Sequence, residues 1–230
     1  MEKAKRQRGG YKLVVSWFLG VQLMVMGWPA RGEAEIAGEV GQEPQVTVQV
    51  YNDARAAAQT LERGEREAAR IFHEAGVEIV WRNCNPAKKD ARMVADCAPQ
   101  AGPLNLGLII TPGFPKVQGV TTSHTMGLSF GNLASVSFLE IKNEAGAVDV
   151  TASEILGPAI AHELGHVLLE SSGHTPAGIM RARWAHEDLL AAACGRLGFS
   201  PQQAERMRAL VRNRAERQAA EAVTPAIASK

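Results

Sequence analysis

The sequence predicts an α+β fold: a strand, a core-facing helix, three or four further strands, a buried helix bearing two histidines, and helices at the C-terminal end. Three observations predict it. Val46-Thr47-Val48-Gln49-Val50-Tyr51 alternates as a half-buried strand does, and from 57 to 75 the apolar period lengthens to three and four residues. Short apolar stretches bounded by turn residues then recur between 77 and 141. Finally, the run through Ile155, Ile160, Leu164, Val167 and Leu168 is apolar nearly all round, as a buried helix is, yet it carries His162, Glu163 and His166.

The chain has 230 residues, 46% of them hydrophobic, and a net charge of +1. That length supports one domain with a short tail. The balanced charge offers nothing to attract nucleic acid. The N-terminus differs from the rest. Lys3, Lys5, Arg6 and Arg8 precede a run from Leu13 to Trp28 that is apolar except for Ser16 and Gln22. This is the charged region and apolar core of a secretory signal. Small residues at Ala30, Ala34 and Ala37 offer cleavage between about 30 and 38. Residues 1–34 are therefore read as signal peptide and leader, 38–222 as the folded domain and 223–230 as a disordered tail. The alternative is an uncleaved anchor, although the run is shorter than the roughly 20 residues a spanning helix needs. In both cases the domain is exported, secreted or periplasmic, and meets a membrane only if the segment stays attached.

In order, the first strand covers 46–51, and Asn52 or Asp53 can cap the helix that follows. Ala57, Leu61, Gly64, Ala68, Ile71, Phe72 and Ala75 form its core-facing stripe, and Gly76 ends it. His73 beside the stripe is expected at the surface. Residues 77–81 form a second strand. Cys84 and Cys97 then flank a polar stretch. In an oxidising compartment a disulfide closing that loop is expected, with two free thiols as the alternative. Cys194, in Ala191-Ala192-Ala193-Cys194, reads as a small buried core residue. A third strand covers 104–110 and breaks at Pro112 to Pro115. Two more, 127–130 and 134–141, are joined at Gly131-Asn132.

Thr151-Ala152-Ser153-Glu154 has the pattern of a capping box before the histidine helix. Pro158 either kinks that helix or marks its first turn. A helix is expected from 185 to 194. Another starts at Ser200-Pro201-Gln202-Gln203 and runs to about 221. Its Arg206, Arg208, Arg212, Arg214 and Arg217 read as a solvated face.

His162 and His166 stand four apart, so on a helix both imidazoles lie on one face, one turn apart. Two such nitrogens can share one metal ion at about 2.0–2.1 Å each, the usual Zn–N length. Glu163 is costly in an apolar helix unless it has a use; in an H-E-x-x-H site it takes a proton from the metal's water. Ser171-Ser172-Gly173 is a stop signal in which Gly173 can take the left-handed C′ conformation, and His174 follows.

His162-Glu163-x-x-His166, a glycine turn, His174 and then Gly178-Ile179-Met180 resemble the metzincin group of zinc metallopeptidases, whose pattern is H-E-x-x-H-x-x-G-x-x-H followed by a Met-turn. The spacing departs from that pattern. Leu169 and Ser172 stand where the group has its glycine and third histidine, and two extra residues precede Gly173-His174. The resemblance implies a zincin-like fold, with a twisted mixed sheet, a backing helix and the His162–His166 helix beneath it, Zn2+ held by His162, His166 and His174, Glu163 as general base, and Met180 packed below the site. It also implies an edge strand, here within 127–141, that pairs with a peptide or protein substrate. For oxyanion stabilisation, His124, Arg181 and Arg183 are candidates beside the zinc. Two other readings stay open: a thermolysin-like site with Glu187 as third ligand, and a zinc-binding or partner-binding module without proteolytic activity.

Overall fold

The computed structural model describes residues 45–84, 97–98, 102–115 and 125–223. The leader, His124 and the tail after 223 lie outside the described residues. The alternating run becomes β1 (Gln45–Asn52), with Val46, Val48 and Val50 buried on one face. Helix α1 (Ala58–Glu74) returns the chain, and Gly76 at φ 75 lets it turn into β2 (Glu78–Asn83). The Asn52 side chain holds the loop before α1, accepting the Ala56 N–H at 2.9 Å. β3 (Asn105–Thr111), β4 (Gly127–Phe130) and β5 (Leu133–Ser137) complete one sheet in the order β2-β1-β3-β5-β4.

The first four strands in that order pair in parallel, while β4 runs antiparallel to β5 and forms an edge. The sheet is thus mixed, as expected. Its registers put Val48, Leu106 and Leu108 on the helix-covered face, and Ala134 and Val136 continue that face on β5. Each fully buried Leu, Ile or Val there is worth about 1.5–3 kcal/mol of transfer free energy. The opposite face is more polar. Gln49 on that face donates to the Ala98 carbonyl at 2.9 Å, beside Cys97, which the structure joins to Cys84.

One expected strand is half helix. The segment 134–141 divides at Ser137, where α2 (Phe138–Ala147) begins. Ser137 Oγ accepts the Glu140 N–H at 3.3 Å, which is an N-cap bond. Ile141 and Ala145, four apart, supply the buried face. The Ser-x-x-Glu spacing was available as a signal, but the continuing apolar run masked it.

Helix α3 (Ala152–Leu168) carries the histidine pair. At its start the Glu154 carboxylate accepts both the Thr151 N–H and the Thr151 hydroxyl at 2.7 Å. The capping bonds therefore set the first turn, and Pro158 lies inside the helix. α3 packs against β4, β5, α1, α2 and the two C-terminal helices, α4 (His186–Ala193) and α5 (Pro201–Val223). That enclosure is why its sequence is apolar on every side.

Two expectations about the C-terminal helices fail. Cys194 is exposed, because α4 buries Leu189 and Ala192 and the chain turns away at Cys194-Gly195. Arg214 is not on a solvated face. It follows Ala204, Met207 and Val211 on the buried stripe of α5 and is 4% exposed. Arg208 also turns inward, donating to the Ala75 carbonyl at 2.9 Å.

Candidate metal centre

Helix α3 delivers two imidazoles to one place. His162 and His166 are both buried, with ring centroids 4.8 Å apart. After the helix the chain folds back, and the ring of exposed His174 comes to 4.8 Å from His166 and 5.4 Å from His162. One ligand atom from each of the three lies within 4.8 Å of the others. The turn before His174 is not made by Gly173. Glu170 takes the left-handed conformation, at φ 48. The Ser171 N–H returns to the His166 carbonyl at 3.2 Å and the Glu170 N–H to the Val167 carbonyl at 3.4 Å, the two bonds of a Schellman ending.

That ending orients a ring. The Ser171 carbonyl accepts from His166 Nδ1–H at 2.7 Å, and the Ile179 carbonyl accepts from His162 Nδ1–H at 2.6 Å. A carbonyl oxygen can only accept, so each Nδ1 carries the proton. In the neutral rings both Nε2 atoms are then lone pairs, and they face each other at 3.1 Å. Two lone pairs at that distance repel unless a cation lies between them. A proton is a poor choice, since burial pushes His162 down to about 4, with the nearby His166 and His174 opposing its charge as well. Burial also lowers His166. A metal ion fits better. Two nitrogens on one tetrahedral Zn2+ lie roughly 3.3–3.4 Å apart, close to the spacing found. Backbone carbonyls that accept the other ring N–H are the usual partners of a zinc-binding histidine. Three imidazoles with no fourth protein donor among the described residues leave one position open, as catalytic zinc sites do.

Glu163 lies beside this trio, its Oε1 3.9 Å from His162 Nε2. It is 6% exposed, and burial pushes its carboxyl up to about 8, against the lowering effect of a hydrogen bond from Ser129. Edge strand β4 covers it directly. A Cβ on Gly127 would overlap Glu163 Cγ and its carboxylate, so only glycine admits the acid at that point.

The segment after His174 forms a floor. The Thr175 N–H bonds to the Met180 carbonyl at 2.8 Å. Met180 is 1% exposed, and a Cβ on Gly165 would meet its Sδ at 2.9 Å and Phe199 at 2.8 Å. The glycine between the two histidines thus lets α3 settle onto this turn. Trp184 Nε1–H donates at 3.1 Å to the same Ile179 carbonyl that holds His162.

A cleft of ≈ 380 Å³ opens at His162, Glu163 and His174, bordered by Met126, Leu128, Arg181, Arg183 and Trp184 among others. Arg181 is tied to Asp188 at 2.7 Å, whereas Arg183 is exposed at the cleft wall. Glu187 points elsewhere: its side chain is 79% exposed and 3.8 Å from Arg181, and it is not part of the histidine group. The positioning carbonyls of Ser171 and Ile179 went unseen in the sequence, since main-chain acceptors carry no residue signal. Ser129 and Gly127 were visible only as parts of a strand.

No family model matches the chain, and no curated protein matches it in sequence. Among solved structures it is similar to the archaemetzincin of Methanopyrus kandleri, at 19% identity and a TM-score of 0.49, covering 75% of this chain and 99% of that one. It is also similar to a zinc-dependent peptidase from Methanocorpusculum labreanum, at 16% identity and a TM-score of 0.44, covering 70% of this chain and 99% of the other.

Proposed function

We propose that the protein is an exported zinc metalloendopeptidase, with His162, His166 and His174 as the metal ligands and Glu163 as the general base. One observation carries the reading: two buried Nε2 lone pairs face each other, with a buried carboxylate beside them and no fourth donor among the described residues. Bound Zn2+ supplies Lewis acidity and lowers the pKa of a water to about 7.

The chain's own residues do the rest. The Ile179 and Ser171 carbonyls hold the two rings in the tautomer that offers Nε2. Glu163 takes the proton of the attacking water and returns it to the leaving amine. Its raised pKa keeps proton return accessible, and a neighbouring cation favours the ionised form needed to accept. Burial keeps competing water away from it. The peptide substrate lies along the edge strand β4, pairing its main chain with the strand, and a side chain enters the cleft near Arg183 and Trp184. Arg183, exposed on the cleft wall, is the candidate to meet developing negative charge. Met180 acts by packing under Gly165 and not as a ligand.

Export rests on the basic start, the apolar run 13–28 and the Cys84–Cys97 disulfide, which suits an oxidising compartment. Among the described residues no helix is long and apolar enough to cross a membrane.

The test is metal content and peptide hydrolysis of the full chain and its histidine variants. One zinc per chain is expected, removed by chelator together with activity and restored by added zinc. His162→Ala, His166→Ala and His174→Ala should each lose both. Hydrolysis that survives His166→Ala would refute the site, and zinc lost in Glu187→Ala but kept in His174→Ala would move the third ligand.

A further inference from the structure

The helix that carries His162 and His166 ends on a residue poorly suited to the task. Glu170 occupies its C′ position at φ 48, a conformation that glycine adopts freely and other L-residues adopt rarely. The glycine of the metzincin pattern falls nearby at Leu169 and is absent. Something must hold the turn at 170. The structure offers Arg214, from α5, forty-four positions along the chain. Its guanidinium is almost wholly buried and reaches three segments: Nη2 donates to the Val167 carbonyl at 2.6 Å, Nη1 to the Pro103 carbonyl at 3.3 Å, and Nε to Glu170 Oε1 at 3.2 Å. Arg217 stands 3.9 Å from the same carboxylate. A buried arginine on an otherwise apolar stripe is costly unless its nitrogens find acceptors; here each of the three does.

The consequence lies one residue further on. Ser171 follows Glu170 directly, and its carbonyl fixes the His166 ring through Nδ1. Backbone rotation at 170 would swing that carbonyl away. We infer that Glu170 and Arg214 are positioning residues: their ion pair pins a left-handed turn that glycine would make unaided, and so aims the Ser171 carbonyl at His166. The inference rests on the histidine trio being the zinc site.

Two variants separate the backbone role from the loss of a charge. Glu170→Ala and Glu170→Gly both delete the carboxylate, but only glycine tolerates the turn without a tether. Both changes take the same carboxylate from buried Arg214, so the difference between the two variants reports the backbone at 170 alone. Zn2+ affinity of the full chain is measured by competition with a chromophoric chelator, and the Co2+ absorption spectrum reports the ligand field. Glu170→Ala should bind Zn2+ about 10-fold or more weakly, within the range seen when a ligating histidine loses its hydrogen-bond partner, with an altered Co2+ spectrum. Glu170→Gly should stay within about 3-fold of the parent. Equal affinities in the two variants, whether both strong or both weak, would overturn the inference. Arg214→Met should weaken Zn2+ by about 10–100-fold at temperatures where its circular dichroism is native, and Glu170→Gly in that background should recover most of the loss. If Arg214→Met fails to fold, the Glu170 pair decides alone. An unmutated chain that binds no Zn2+, or a His162→Ala variant that binds as well as the parent, would instead refute the zinc site.

Discussion

His162 and His166 owe their chemistry to two main-chain oxygens. Each carbonyl takes the Nδ1 proton and leaves an Nε2 lone pair in a buried place where protonation is disfavoured. The pair was legible in the sequence because spacing alone sets i and i+4 on one face. The carbonyls were not, since Ile179 and Ser171 could be any residues and still accept. Glu163 depends on a neighbour in a comparable way. Gly127 matters for the side chain it lacks, and its closeness to Glu163 arises only when β4 crosses α3. Gly127→Ala should push the carboxylate aside without touching the ligands. Zinc should remain at one per chain while hydrolysis falls at least about 10-fold, or ~1.4 kcal/mol of transition-state stabilisation. Metal analysis and steady-state rates on the same preparation check this, and an unchanged rate would show that Glu163 has room to spare.

Elements with strong periodicity were readable: β1, α1 and α3 lie where alternation and the three-and-four spacing put them. The failures share a cause, which is that distant partners override local pattern. Glu170 makes the turn that Gly173 was expected to make, because Arg214 reaches it from α5. Arg214 itself looked like one of a row of solvated arginines. Phe138 and Leu139 looked like strand until Ser137 capped α2. Where α1 packs on β2, another buried acid gives a measurable consequence. Glu65 is 6% exposed; its Oε2 accepts from Asn83 at 3.2 Å, and its Oε1 has no hydrogen-bond partner among the described residues. Burial raises its pKa above 4.5, only partly offset by Asn83, and Glu62 adds to the rise. The folded state therefore holds this proton more tightly than the unfolded chain. Its contribution to stability is complete below pH 4.5 and is lost as pH rises through the folded pKa. In urea titrations between acidic and neutral pH, the parent should lose on the order of 1 kcal/mol relative to Glu65→Gln. Parallel pH profiles would contradict this.

Across the whole molecule, one mixed sheet presents its apolar face to α1 and α3, and its edge strand β4 lies over the histidine helix. On the other face Gln49 bonds to the Ala98 carbonyl, beside the Cys84–Cys97 disulfide. These cysteines sit 13 apart in sequence with Cα atoms 5.5 Å apart. Closing a loop of that size is worth about 3 kcal/mol in the chain-entropy account, which for a domain of this length corresponds to roughly 6–12 °C of melting temperature. Reduction should lower the melting temperature by that order, and alkylation without reductant should label only Cys194, which is exposed. An unchanged melting temperature, or label on Cys84, would contradict the pairing. The fold, the turn and the trio all converge on one carboxylate, so the most direct measurement is the peptide-hydrolysis rate of Glu163→Gln at one bound zinc per chain. Zinc should be retained while the rate falls by on the order of 10²–10⁴-fold, the usual cost of removing a general base. A variant that holds its zinc and hydrolyses peptides at the parent rate would contradict it.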